Sequence, residues 1–157
     1  MSEDPHMSMS VTRMLIVGDP RNCRGCGSCE LVCSLRLVGE CRPSLSAVRV
    51  LKDIFRIEFR PETCRQCLTP ACMLACRIEG AMYVDQATGA RMIDQARCVG
   101  CRACELACPF HAVRYRPETN TCVKCDLCSG APECVEYCPR DALILVQTGR
   151  RREAAGV

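Results

Sequence analysis

Eighteen cysteines in a chain of 157 residues fall into four runs, and each run opens on a C-x2-C pair. Run one is Cys23, Cys26, Cys29 and Cys33 in NCRGCGSCELVCS, spaced x2, x2, x3. Run three, Cys98, Cys101, Cys104 and Cys108 in RCVGCRACELACPF, has the same spacing and is followed by Pro109. Run two, Cys64, Cys67, Cys72 and Cys76 in TCRQCLTPACMLACR, is spaced x2, x4, x3. Run four, in NTCVKCDLCSGAPECVEYCPR, is open to two readings, because Cys122, Cys125 and Cys128 on their own mimic run one. The set Cys125, Cys128, Cys134 and Cys138 is preferred, since it closes on C-x3-C as every other run does. Cys41 and Cys122 are then non-ligand cysteines, read as small hydrophobes. An internal repeat of this kind constrains the fold before any propensity does.

Cysteine at this density fits a disulfide framework, zinc sites or iron-sulfur clusters. The opening residues, MSEDPHMSMSV, are acidic where a secretory leader is positive, and no apolar stretch follows them. No twin-arginine leader is present, Arg150 to Arg152 lying at the other end, and no apolar run is long enough to span a bilayer. The expected compartment is therefore the cytoplasm, where thiols stay reduced and metal ligation is favoured over disulfides. Structural zinc sites draw on two separated C-x2-C pairs and often on histidine, whereas here a whole triplet shares one loop, and neither His6 nor His111 has ligand spacing. A C-x2-C-x2-C loop gathers three thiolates around one small volume. Gly25, Gly27 and Gly100 allow its backbone N–H groups to turn toward inorganic sulfur. The fourth cysteine of a run, three residues further on, points away from its own loop, as it does in two-cluster ferredoxins. His111, after Cys108-Pro109-Phe110, is placed to tune a cluster, but the preferred reading is a filler at the surface or behind the ligands.

With no Trp, three Phe and three Tyr, the side chains alone leave an interior short of bulk. The formal charge of +3 counts every cysteine as neutral. Sixteen thiolates on four oxidised cores bring the balance to about −5, so the basic count is no argument for nucleic acid. Short strands are expected at Arg13 to Gly18 and across Ala47 to Phe59, the latter doubling back near Lys52-Asp53. A hairpin over Tyr83 to Asp94 turns at Gly89. Helical turns fit Cys29 to Leu37, Cys72 to Ile78, Cys104 to Cys108 and Glu133 to Cys138. The fold class is α+β. Residues 1–10 are expected to be a flexible N-terminus, 11–148 one domain and 149–157 a mobile tail.

The segments NCRGCGSCELVCS, PSLSAVRV, TCRQCLTPACMLAC, CVGCRACELACPFHAV and KCDLCSGAPECVEYCPRDAL together resemble the four-cluster ferredoxin-like electron-transfer subunits of multi-subunit oxidoreductases. These are the iron-sulfur subunits of the dimethyl sulfoxide reductase, formate dehydrogenase and hydrogenase type, and the small subunit of tungsten aldehyde oxidoreductase is the nearest in size. The resemblance implies two nested bacterial-ferredoxin-like units, runs one and four forming one half and runs two and three the other. It implies four [4Fe-4S] clusters. Cluster one takes Cys23, Cys26, Cys29 and Cys138, and cluster two takes Cys64, Cys67, Cys72 and Cys108. Cluster three takes Cys98, Cys101, Cys104 and Cys76, and cluster four takes Cys125, Cys128, Cys134 and Cys33. Run two departs from the family pattern in ending Cys76-Arg77 where Cys-Pro is usual.

No Gly-rich nucleotide loop, no nucleophile with a base and no cluster short of a cysteine point to catalysis, so no catalytic residue is assigned. The expected role is a non-catalytic relay of single electrons between a tungsten or molybdenum subunit and a flavin, quinone or ferredoxin partner. Stacking of copies into a longer conductor is one arrangement such a chain allows. The rival readings are a free polyferredoxin shuttle and a zinc-binding structural module.

Overall fold

The computed structural model describes residues 13–148; the expected flexible N-terminus and mobile tail, with His6, lie outside them. In chain order the elements are β1 (Arg13–Gly18), α1 (Ser28–Val38), β2 (Arg49–Asp53), β3 (Glu58–Glu62), α2 (Ala71–Ala75), β4 (Met82–Val84) and β5 (Arg91–Ile93). There follow α3 (Ala103–Ala107), β6 (Arg114–Arg116), β7 (Thr121–Val123), α4 (Glu133–Glu136) and β8 (Leu143–Thr148). This is a small mixed α/β chain of short strands, hairpins and short helices.

Every strand belongs to a two-stranded antiparallel ribbon: β2 with β3, β4 with β5, β6 with β7, and β1 with β8. The last of these pairs Arg13 with Thr148 and Gly18 with Leu143, so the two ends of the described chain close on each other. The β2–β3 hairpin turns over residues 54–57, just past the Lys52-Asp53 that the sequence suggests. Asp53 is still paired, and its Oδ1 accepts hydrogen bonds from the amides of Phe55 and Arg56 at 3.1 Å each, an Asx-type turn.

Helix lengths follow from local stop signals. Helix α1 runs until Gly39, which adopts φ 76° and donates its N–H to the Leu35 carbonyl. Helix α3 ends where Cys108 turns extended ahead of Pro109, since the proline ring clashes with a helical predecessor. Helix α2 stops at Ala75, short of the expected Ile78, because Cys76 is already extended at φ −75°, ψ 119°. Helix α4 likewise stops at Glu136.

Helix α1 packs on α4 and α2 on α3. The core divides accordingly. One cluster gathers Ile16, Val48, Val50, Leu127 and Leu143 with Cys23, Cys29, Cys64, Cys125 and Cys134; the other gathers Val113 with Cys72, Cys104, Cys108 and Cys122. Nine cysteines are buried, and no buried core residue is aromatic. The core is thus built from small side chains and thiols. Among the described residues no helix is long and apolar enough to cross a membrane.

Candidate metal centres

Each helix carries two cysteines four residues apart, or one cysteine with the next just past its end. Four residues advance about 6 Å along a helix while returning to the same side, so both sulfurs face inward at different heights. Helix α1 thereby aims Cys29 and Cys33 at different openings, and α4 does so with Cys134 and Cys138; α2 and α3 repeat the device with Cys72 and Cys76, and with Cys104 and Cys108.

Three openings of nearly equal size, about 320 to 340 Å³ each including the part open to solvent, are lined by thiols. Site one holds Cys23, Cys26, Cys29 and Cys138. Site two holds Cys64, Cys67, Cys72 and Cys108. Site three holds Cys76, Cys98, Cys101 and Cys104, and a fifth thiol, Cys122. The remaining four, Cys33, Cys125, Cys128 and Cys134, are grouped as site four, with Cys33 and Cys134 carried on the packed pair α1 and α4. Helix α1 also carries Cys29 of site one, and Gln66, between Cys64 and Cys67 of site two, hydrogen-bonds to the Cys125 carbonyl. The sites therefore follow one another as one, four, two, three, with sites two and three joined through α2 and α3. Cys26 at site one and Cys101 at site three are exposed, while no cysteine of sites two or four is.

The donor chemistry fits a thiolate-held cluster. Backbone amides point at sulfur from Ala142 to Cys138 at 3.2 Å, Cys122 to Cys98 at 3.3 Å, and Ala47 to Cys33 and Ala112 to Cys108 at 3.4 Å each. Leu127 N–H reaches Cys125 Sγ at 3.5 Å. Such donors offset the negative charge of a cubane and its thiolates. Among the described residues no three His, Cys, Asp or Glu side chains converge as one metal ion requires.

The loops are fixed by close approaches. Gly25 adopts φ +71°, and a Cβ there would lie 2.4 Å from the ring of Phe59, which covers the site-one loop. Gly100 adopts φ +70°, with the Asn120 carbonyl oxygen 2.3 Å from where a Cβ would stand. Gln66, between Cys64 and Cys67, is fully buried. It donates through Nε2 to the Cys125 carbonyl at 2.9 Å and accepts from the Arg91 amide at 2.8 Å, tying run two to run four and to β5.

Two buried residues that no cysteine spacing marks, Lys124 and Arg116, and the spare cysteine Cys122 lie in the same interior as the thiols. Lys124 is 4% exposed and places Nζ 4.0 Å from Cys72 Sγ at site two. Arg116 is 5% exposed, donates through Nη2 to the Leu45 carbonyl and leaves Nε without a partner. Cys122 lines the same opening as Cys104, and its own amide points at Cys98 Sγ. The signal that could have found Lys124 is a charged residue just before a cysteine inside a stretch that otherwise buries throughout. Cys41 and His111 are exposed.

Burial pushes the Cys29 and Cys122 thiols up to about 12, helped by Glu30 at Cys29 and by Cys104 at Cys122, and it raises Cys72, Cys104, Cys125, Cys128 and Cys134 as well. These thiols are protonated at neutral pH until a metal displaces the proton. A thiol raised in the folded state supports folding below its unfolded range, near 8.5, and that support is lost as pH climbs from there toward the folded value. Urea denaturation of metal-stripped protein should therefore show a lower midpoint at pH 10 than at pH 7.5; equal midpoints would contradict the burial of these groups.

The family model described as 4Fe-4S dicluster domain matches residues 55–148, and a 4Fe-4S binding domain model matches residues 20–36. The polyferredoxin-like subunit of the aliphatic sulfonate oxidoreductase of Pyrococcus furiosus is 41% identical over 143 residues, covering 89% of this chain and 81% of that one. The thiosulfate reductase electron transfer subunit PhsB of Salmonella typhi is 29% identical over 152 residues, covering 87% of this chain and 77% of that one. In fold, the chain is similar to one in the BamBC active site complex of benzoyl coenzyme A reductase. That match has a TM-score of 0.52 and 24% identity over 93% of this chain and 82% of the other. With the dicluster model over runs two, three and four and a 4Fe-4S model over run one, this chain belongs to the 4Fe-4S dicluster domain family.

Proposed function

We propose that this chain is a non-catalytic electron-transfer subunit holding four [4Fe-4S] clusters on sixteen of its eighteen cysteines. The observation that carries the reading is the succession of four thiol groups through the molecule, with an exposed cysteine at each end. Cys23, Cys26, Cys29 and Cys138 would hold the first, and Cys125, Cys128, Cys134 and Cys33 the next. Cys64, Cys67, Cys72 and Cys108 would hold the third in space, and Cys98, Cys101, Cys104 and Cys76 the last. Bound there, each cluster supplies a place for one electron to come and go without bond making. The chain's own part is to fix spacing, exclude water from the inner sites and aim amide donors at sulfur.

Cys26 and Cys101 mark the faces for two partners. One is a catalytic oxidoreductase subunit of the tungsten or molybdenum type, as in aldehyde oxidoreductase; the other is a flavin, quinone or ferredoxin protein in the cytoplasm. The Pyrococcus relative, a subunit of an aliphatic sulfonate oxidoreductase by name, supports a subunit role over a free shuttle. Exposed clusters at both ends also suit stacking of copies into a longer conductor. Anoxically purified protein should contain about sixteen iron and sixteen sulfide per chain, and should bring down an untagged cofactor-bearing subunit. Zinc in place of iron would refute the reading in favour of a structural module.

A further inference from the structure

A cubane takes four thiolates, one at each iron corner. The openings of sites one and two are each lined by four cysteines, whereas that of site three is lined by five: Cys76, Cys98, Cys101, Cys104 and Cys122. Three of these, Cys98, Cys101 and Cys104, belong to one C-x2-C-x2-C loop and take three corners together. Two thiols are then left for one corner. Cys76 arrives from run two, just past the end of α2; Cys122 arrives on β7.

Neither of the two is held as the crossing ligands of sites one and two are. Cys138 and Cys108, each followed by proline, receive at sulfur the amide of the residue four further on, at 3.2 and 3.4 Å. Cys76, followed by Arg77, instead points its thiol at the Ile78 carbonyl at 3.7 Å. Once iron displaces the thiol proton, that carbonyl oxygen faces a negative sulfur, and the contact turns from attractive to repulsive. Cys122 is 1% exposed, and its amide donates to Cys98 Sγ at 3.3 Å, so its backbone is fixed against an undisputed ligand of the same site. Its strand is held in turn by β6, with Tyr115 opposite Cys122. A buried free thiol is ordinarily a packing residue. What sets Cys122 apart is the opening it lines, shared with four other cysteines.

We propose that Cys76 and Cys122 are alternative fourth ligands of site three, so that either completes the site when the other is withdrawn. The proposal rests on the four-cluster reading above. In the exchange one iron–sulfur bond breaks and one forms; the incoming thiol gives up its proton, the departing thiolate takes one up, and no electron is gained or lost. The two ligands differ in what they tie together. Cys76 links site three through α2 to Cys72 of site two, whereas Cys122 links it along the chain to Lys124, at the site-two opening, and to Cys125 of site four. Site three is also an end where a ligand, Cys101, is exposed. The end open to solvent thus has two ways of keeping its fourth corner filled.

The test is iron and sulfide analysis, with EPR in the oxidised and reduced states, on anoxically loaded full-length variants. Cys76→Ala and Cys122→Ala are each expected to keep about sixteen iron, the first with an altered reduced spectrum because β7 then supplies the sulfur. The double variant should lose about one to four iron and, where a three-iron core survives, show an oxidised-state signal absent from both single variants. Cys108→Ala is the control: it removes the equivalent ligand of site two, where four cysteines alone line the opening, and should lose iron as the double variant does. Cys76→Ser is loaded in parallel and decides the matter if the alanine variant fails to fold. Loss of iron from both Cys76 variants while Cys122 is present would overturn the proposal, as would loss from Cys122→Ala alone or full retention in the double variant. An iron count other than sixteen in the unaltered protein would sink the four-cluster reading itself.

Discussion

Replacing Cys138 with serine is expected to remove about four iron atoms per chain and to erase the cluster of run one, leaving that of run four intact. Cys138 lies in run four by sequence, yet it lines the opening of Cys23, Cys26 and Cys29. The reason is α4, which ends at Glu136 after presenting Cys134 to site four and leaves Cys138 beyond it, with Ala142 N–H on its sulfur at 3.2 Å. A serine hydroxyl is a hard, protonated donor at neutral pH and cannot replace a thiolate toward iron. Because site one is an exposed end, reduction by the partner docking there should fall to background while reduction through the site-three end persists. Iron and sulfide analysis together with EPR of the reduced variant checks this; loss of the run-four signal in place of the run-one signal would refute the crossing.

Gly100→Ala should cost about 2–4 kcal/mol, from positive-φ strain together with overpacking. The new methyl would meet the Asn120 carbonyl oxygen at 2.3 Å, a backbone atom that cannot swing aside, in a loop that carries Cys98 and Cys101. Gly39→Ala is the control, since Gly39 has a similar φ of +76° but nothing within 4 Å of the added atom, and so carries the strain alone, about 1 kcal/mol. Urea denaturation of the two variants, loaded in parallel, separates clash from strain. Equal losses would show that the Gly100 contact does not matter.

The strand at Arg13 to Gly18 and the hairpin around Gly89 were legible because both have local signatures, β-branched apolar residues in one and a turn glycine in the other. The partner of the first strand, β8, was not foreseen, because pairing Arg13 with Thr148 is a property of the closed chain and leaves no mark within LILVQT. The β6–β7 hairpin also escaped notice. Arg114 and Arg116 look like solvent-facing charges, and only burial of Arg116 and Cys122 shows that this ribbon runs against the thiols. Among the site residues, the cysteine spacing announced the chemistry, but Lys124, Arg116 and Gln66 act across distances of 52 to 71 residues that no local pattern encodes. The spacing marks Cys122 as a small hydrophobe, buried or half-exposed. Its burial agrees, while its place beside Cys98 and Cys104 was beyond what spacing could tell.

The closing of β1 on β8 also imposes an order on how the protein is made. As the chain leaves the ribosome, the thiols of sites two and three are all present once Cys108 has emerged, and neither set waits on later sequence. Site four waits for Cys134, and site one, whose first three thiols emerge earliest of all, waits longest, for Cys138. Strand β8 follows immediately, and only then can the terminal ribbon form over the early loop. A contact between the two ends of the described chain is the slowest kind to close. On the proposed ligand sets, Cys23, Cys26 and Cys29 are therefore the described cysteines that wait longest for the thiol completing their site, and the longest open to oxidation during synthesis.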